Sequence, residues 1–176
     1  KALDRHERVL YVGSFSKSMF PAMRLGYLIC PTGLEVAFSV AETLMSQNVP
    51  LPQQKAMALF MQDGSFNSHI RKMKTAYQVR RDTLVEALRD YASDILYPEP
   101  CLAGMHLVAR FNKKDASDTF LANQLWKTRI DCLPLTIFSD KANVDPGLLL
   151  GFACAPEDQI SELVQKMALS LRESLR

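Results

Sequence analysis

Two apolar runs without a charge, Val9-Leu10-Tyr11-Val12 and Leu25-Gly26-Tyr27-Leu28-Ile29-Cys30, stand too close together in the chain for a helical crossover between them. Runs rich in β-branched and aromatic residues, the second stopped by Pro31 and Gly33, read as strands over 9–16 and 24–30. With so short a link they can pair only as an antiparallel hairpin. The link itself, Gly13-Ser14-Phe15-Ser16-Lys17-Ser18-Met19-Phe20-Pro21-Ala22-Met23-Arg24, packs two cations and several hydroxyls into one turn. A lysine at the end of a buried strand must find a partner or lose its proton, because burial disfavours the ammonium. The deprotonated amine is the form that makes a Schiff base with an aldehyde. Ser14, Ser16 and Arg24 are of the types that anchor a phosphate: hydroxyls and a guanidinium. The same residues also read as turn serines and ordinary surface charges, and residue types alone leave both readings open.

The rest of the composition narrows the class. The chain has 176 residues, 48% of them hydrophobic, which suffices for a sizeable core and argues against a disordered tail. A net charge of +2 gives no ground for a nucleic-acid or anionic-membrane surface. No apolar run approaches the ~20 residues of a membrane span, and the charged lead, residues 1–8, lacks the apolar region of a signal peptide. Cys30, Cys101, Cys132 and Cys154 are scattered through apolar settings, as reduced core cysteines of a cytoplasmic protein are. No His, Cys, Asp and Glu spacing marks a metal site, and no Ser/His/Asp arrangement can be defended.

Beyond the hairpin the chain reads as helices and then a small α/β layer. Thr32 caps a helix running through Ser46, with Leu34, Phe38, Ala41, Leu44 and Met45 on one face. Asn48-Val49-Pro50-Leu51-Pro52 breaks it, and Gln53 to Gln62 is a short helix ended by Asp63-Gly64. The longest helix covers about 66–92, with Ile70, Met73, Tyr77, Leu84, Leu88 and Tyr91 at helical spacing and a basic, solvated opposite face. Leu96 to Pro100 is an extended lead into strands 104–111, 130–138 and 148–154 and helices 116–128 and 156–175, the 130–138 strand being an edge or a bend because of Pro134. Asp140 to Gly147 reads as a polar loop.

Ser14-Phe15-Ser16-Lys17, then Pro21, then Arg24-Leu25-Gly26-Tyr27 resembles the cofactor-lysine signature of fold-type I pyridoxal-phosphate (PLP) enzymes, the aminotransferase superfamily. The seven-residue step from Lys17 to Arg24 is similar to the aminoadipate-aminotransferase-like branch. Phe20-Pro21-Ala22-Met23-Arg24-Leu25-Gly26-Tyr27 is closer still to the aminotransferase-like domain of MocR regulators, the branch of the GntR family that fuses a winged helix to a PLP fold. Gly64, His69-Ile70-Arg71-Lys72-Met73-Lys74, Tyr77 and Arg80-Arg81-Asp82 are similar to the MocR helix that joins the large and small domains.

This resemblance implies an α/β fold, the C-terminal part of a fold-type I PLP-dependent transferase. Residues 1–62 would end the large domain, 63–95 would be the inter-domain helix and 96–176 the small α/β domain. Lys17 would hold PLP covalently, with Ser14, Ser16 and Arg24 on the cofactor. His106 would stand near the substrate side, and Arg110, with Arg129, is a weaker candidate for an effector carboxylate. The strand Leu148 to Ala153 carries Leu149 where many relatives of this superfamily place a carboxylate-binding arginine, which favours an effector sensor over a housekeeping aminotransferase. The implied protein is a cytoplasmic homodimer that meets an amine or amino-acid effector and touches DNA only through a domain outside this chain. An active 2-aminoadipate-aminotransferase-like enzyme is the alternative, and a fragment that binds nothing by itself is a third reading. Since the Gly-rich phosphate loop, the ring-stacking aromatic and the pyridine-pairing Asp would lie upstream, Lys17 of this chain alone is expected to be a free amine.

Overall fold

The computed structural model describes residues 2–46, 50–140 and 144–175. Its contacts divide it into two compact units, Lys1–Arg71 and Lys72–Arg176.

In the first unit, β1 (Tyr11–Ser14) and β2 (Gly26–Ile29) form the expected antiparallel hairpin, with Tyr11 opposite Ile29 and Ser14 opposite Gly26. The hairpin is not buried, contrary to the reading of its composition. Val12 is 72% exposed, and Val9, Leu10, Tyr11, Leu28 and Ile29 are exposed too. A two-stranded ribbon has two faces, and within the described residues only its loop end meets other apolar side chains, so its apolar faces stay open. The strand also begins at Tyr11 rather than Val9, because the Asp4 carboxylate accepts the Val9 N–H at 3.1 Å and the Arg8 N–H at 3.1 Å, drawing that segment into a turn.

The helices α1 (Glu35–Ser46) and α2 (Leu51–Gln62) follow. Thr32 does not cap α1. Its hydroxyl donates to the Glu7 carboxylate at 2.8 Å, and the chain turns at Gly33 (φ 92°) before the helix starts. The face expected to be inward is mostly open: Phe38 is half-buried, whereas Leu34, Leu44 and Met45 are exposed, Met45 at 86%. Helix α2 starts two residues before the expected Gln53, since Pro52 falls in its first turn, where a missing N–H costs nothing. Asn48 and Val49, part of the expected break, lie outside the described residues. Met57 of α2 drops beneath the hairpin loop against Phe15 and Leu25, with Met19, Met23, Phe60 and Phe66 around them. Gly64 (φ 80°) ends this helix in the left-handed conformation that an L side chain resists.

Helix α3 (Ser65–Ala92) starts in the first unit and runs into the second. There it packs Leu84, Ala87, Leu88 and Ala92 against an antiparallel sheet in the order β3 (Leu96–Pro98), β4 (His106–Phe111), β6 (Gly147–Gly151), β5 (Leu133–Pro134), with α4 (Asp118–Lys127) and α5 (Glu157–Ser174) in the same core. Leu96 to Pro98, read as a stiff lead, is an edge strand, with Leu96 fully buried against Phe111. The 130–138 run keeps only Leu133 and Pro134 in the sheet, on the other edge, where Pro134 needs no donor. Leu135 to Phe138 coil into a 3-10 turn instead. The loop before β6 is described only in part, because residues 141–143 lie outside the described residues. On α5, Ile160, Val164, Met167, Ala168 and Leu171 face the core, while Leu163 is exposed.

Asp118 organises the β5 edge. It is 2% exposed, and its carboxylate accepts the Thr136 hydroxyl at 2.6 Å, the Thr136 N–H at 3.1 Å and the Gly147 N–H at 3.2 Å. A buried carboxylate this well furnished with donors costs far less than an orphaned one. The basic face of α3 is not wholly solvated either. Arg80 donates to the Ala153 carbonyl, and Arg81 donates to the Cys101 carbonyl at 3.2 Å and to the Asp82 carboxylate.

Candidate functional site

The lysine turn closes the hairpin. Beyond the Ser14–Gly26 rung, the Phe15 N–H donates to the Leu25 carbonyl at 3.0 Å, and both side chains enter the apolar cluster with Met57. Phe15 to Met19 then make one helical turn, closed by the Met19 N–H on the Phe15 carbonyl at 2.8 Å. The Ser14 hydroxyl accepts the Ser16 N–H at 3.1 Å and fixes the start of this turn. Lys17 rides on it, exposed to solvent. The expectation of a buried lysine is therefore not met in this chain: its neighbours Phe15 and Met19 point to the cluster, and a one-turn helix carries Lys17 round to the other side.

Pro21 to Met23 form a short 3-10 turn that ends on Arg24. Arg24 is left-handed (φ 49°), its N–H on the Pro21 carbonyl at 3.2 Å. For an L residue that conformation costs roughly 1–2 kcal/mol. It swings the chain back so that Leu25 is buried and Arg24 stays exposed. Among the described residues no hydrogen bond or ion pair engages the Lys17 amine or the Arg24 guanidinium, and the sequence from Gly13 to Tyr27 contains no acid. Two uncompensated cations with serine hydroxyls on one turn make a donor set for an anionic, electrophilic ligand. A phosphorylated aldehyde such as PLP fits it: Arg24 and Ser14 match the phosphate, and the primary amine of Lys17 matches the carbonyl carbon.

The surrounding first-unit residues are set by sterics. A Cβ on Gly13 would stand 2.2 Å from the Tyr27 ring, so only glycine lets that ring lie across β1. Tyr27 is 41% exposed, its ring centre 5.2 Å from that of Phe15 at a tilt of 42°, and the Tyr11 hydroxyl, through a hydrogen bond, raises its phenol above the usual range. His69, on the same face of α3 as Phe66, Ile70 and Met73, places Nε2 3.0 Å from the Ser18 carbonyl. The sequence offers His69 only as part of the family-like pattern at the start of the long helix; the fold brings it to the residue after Lys17.

The candidates of the second unit have different surroundings. His106 is exposed at the start of β4, its ring beside Gly151. Arg110 is occupied: Nε donates to Glu99 at 2.7 Å and Nη1 donates to the Asp145 carbonyl. It ties β4 to the segments after β3 and before β6. Arg129 is left-handed (φ 62°) after α4 and borders, with Asp131, an apolar cavity of about 290 Å³ against Leu150, Phe152, Ile160 and Met167. Leu149 is half-buried on β6, opposite Val108 and Leu133, so that spot on the sheet is apolar. Among the described residues no group of three His, Cys, Asp or Glu is placed to hold a metal, and no helix is long and apolar enough to cross a membrane.

The sequence model of the family "aminotransferase class I and II" matches residues 2–167. The chain belongs to that family. Its curated relatives include the probable rhizopine catabolism regulatory protein MocR of Rhizobium meliloti, 31% identical over 153 residues, or 87% of this chain and 31% of the relative. Another is the HTH-type transcriptional regulator TauR of Rhodobacter capsulatus, 39% identical over 90 residues, 51% of this chain and 19% of the relative. Among solved structures, a kynurenine aminotransferase of Pyrococcus horikoshii superposes with a TM-score of 0.84 at 23% identity, over 99% of this chain and 43% of that one. The chain thus spans less than half the length of the relatives it matches. Its fold is that of the fold-type I PLP-dependent aminotransferases.

Proposed function

We propose that this chain is the cofactor-lysine portion of an effector-sensing, PLP-binding domain in a MocR-type transcriptional regulator. The observation that carries the reading is the lysine turn, where Lys17 and Arg24 stand without counter-ions beside Ser14, in a chain whose relatives bear the names of HTH-type regulators. Residues 1–62 then end the large domain, 63–95 join it to the small domain, and 96–176 form the latter.

PLP, when bound, supplies an aldehyde for a primary amine and a ring that draws electron density from the attached carbon. Lys17 would hold the group through its amine. Arg24 and Ser14 would hold the phosphate through charge-assisted and hydroxyl hydrogen bonds, with Ser16 at the same turn. An amine or amino-acid effector would compete with the Lys17 amine at this turn, and its differential affinity for two domain arrangements would shift their populations. The readout is a DNA-binding domain outside this chain, in a cytoplasmic homodimer. Leu149 supports a sensor, because it offers an effector carboxylate no cation where an arginine would serve a transaminating enzyme.

The second reading is an active aminotransferase, supported by the superposition of 99% of the chain on a kynurenine aminotransferase. In that case the Lys17 amine would also serve as a general base, holding and moving a proton at Nζ. Absorbance of the longer protein with PLP tests the common premise: a band near the visible edge is expected, and Lys17→Ala should abolish it. Survival of the band in Lys17→Ala would sink the lysine assignment. Loss of the band with an amino donor and its recovery with a keto acid, over many turnovers, would favour the enzyme over the sensor.

A further inference from the structure

We infer that His69 is a positioning residue for Lys17, acting through the carbonyl of Ser18. The inference rests on the reading of Lys17 as the cofactor lysine, and it adds the device that aims it. The Lys17 turn is short and exposed, so its orientation depends on what holds its two ends. At the start, the Ser14 hydroxyl takes the Ser16 N–H. In the middle, Phe15 anchors it in the apolar cluster. At the far end the one described side chain reaching it from another element is His69, 51 residues away in sequence, with Nε2 3.0 Å from the Ser18 oxygen.

A carbonyl oxygen only accepts, so Nε2 carries the hydrogen and donates. The imidazole is half-buried and has Phe60 beside it at 6.3 Å between ring centres, which limits its freedom to rotate away. The Ser18 hydroxyl, 3.5 Å from the Phe15 carbonyl, closes the same turn from within. With that carbonyl fixed, the Ser18–Met19 peptide plane is fixed, and its N–H, donating to the Phe15 carbonyl at 2.8 Å, closes the turn on which Lys17 rides. Release of the plane would let the turn sample other orientations and dilute the one that reaches a cofactor carbonyl.

The test compares His69→Leu and His69→Gln with wild type in the longer PLP-binding protein. Glutamine keeps an N–H donor at similar reach, and leucine keeps the bulk without it. Amide exchange over residues 15–19, measured without PLP, should quicken in His69→Leu by about tenfold and stay within about threefold in His69→Gln, the loss expected for one hydrogen bond. PLP affinity, read from the absorbance band, and the yield of borohydride-trapped Lys17 should follow the same order. Unchanged exchange in His69→Leu overturns the inference. So does quickened exchange with unaltered PLP affinity and trapping, which would make His69 a structural tie only. If His69→Leu lowers the melting temperature and His69→Gln lowers it equally without restoring affinity, the bond to Ser18 is not what matters. A wild-type protein that shows no band, or a band indifferent to Lys17→Ala, fails at the earlier reading rather than at His69.

Discussion

Arg24 carries two demands in one residue. Its left-handed backbone is a cost that glycine would not bear, and its guanidinium is what the proposed phosphate needs. Arg24→Gly should therefore leave the melting temperature unchanged or raise it slightly, while PLP affinity falls by about tenfold to a hundredfold, the worth of a charged hydrogen bond. Calorimetry and a PLP titration check the two halves separately. Asp118 makes the opposite case, a charge kept for structure. Asp118→Ala strips the Thr136 and Gly147 donors of their buried acceptor and should cost about 3 kcal/mol in denaturant unfolding, whereas Thr136→Val should cost about 1 kcal/mol. Among the cysteines, burial, with Asp131 adding to it, pushes the Cys132 thiol up to about 11. At pH 8 its thiolate fraction is on the order of 10⁻³, so iodoacetamide should modify the exposed Cys154 first, a difference that peptide mass spectrometry resolves.

The elements show where local signals sufficed. Helices α3, α4 and α5 follow apolar spacing within two residues of the expected ends, because each has a continuous stripe to bury. β3 and β5 were harder: three and two residues are too few for a period-two pattern, and pairing with β4 and β6 alone makes them strands. The end of α5 is tied to the α3–β3 turn by Arg172, which donates to both Asp94 oxygens at 2.9 and 2.7 Å and to the Tyr91 carbonyl. That hydrogen bond holds the Asp94 carboxyl below the usual range. A lowered folded value means that the contribution is present above the ordinary aspartate value of about 3.9 and is lost as the pH falls through the folded one. The melting-temperature gap between wild type and Asp94→Asn should be seen at pH 6 and should close in that acid range.

For the whole chain, the two units differ in how much apolar surface they bury. Unit 2 centres Leu88, Leu96, Leu107, Leu125, Leu148 and Leu171 at or below 2% exposure, whereas unit 1 buries Phe15, Leu25 and Met57 under its loop and leaves β1, β2 and α1 open. Amide exchange should accordingly be slowest in β4, β6 and the inner face of α5 and fastest in α1 and the hairpin, as measured by mass spectrometry of the chain. The sequence by itself determined the hairpin, the order of the long helices and the gathering of Ser14, Ser16, Lys17 and Arg24 at its closing turn, since chain proximity needs no distant partner. It did not determine exposure. An apolar run reads the same whether or not another layer covers it, so Val12, Leu44 and Met45 read as inward and yet stand open. Nor could it pair His69 with Ser18, occupy Arg110 with Glu99 and Asp145, or turn Asp118 into the hub of the β5 edge. Those contacts join residues far apart in the chain, and only the tertiary structure decides them, because a hydrogen bond needs two groups within about 3 Å and sequence spacing says nothing of that distance.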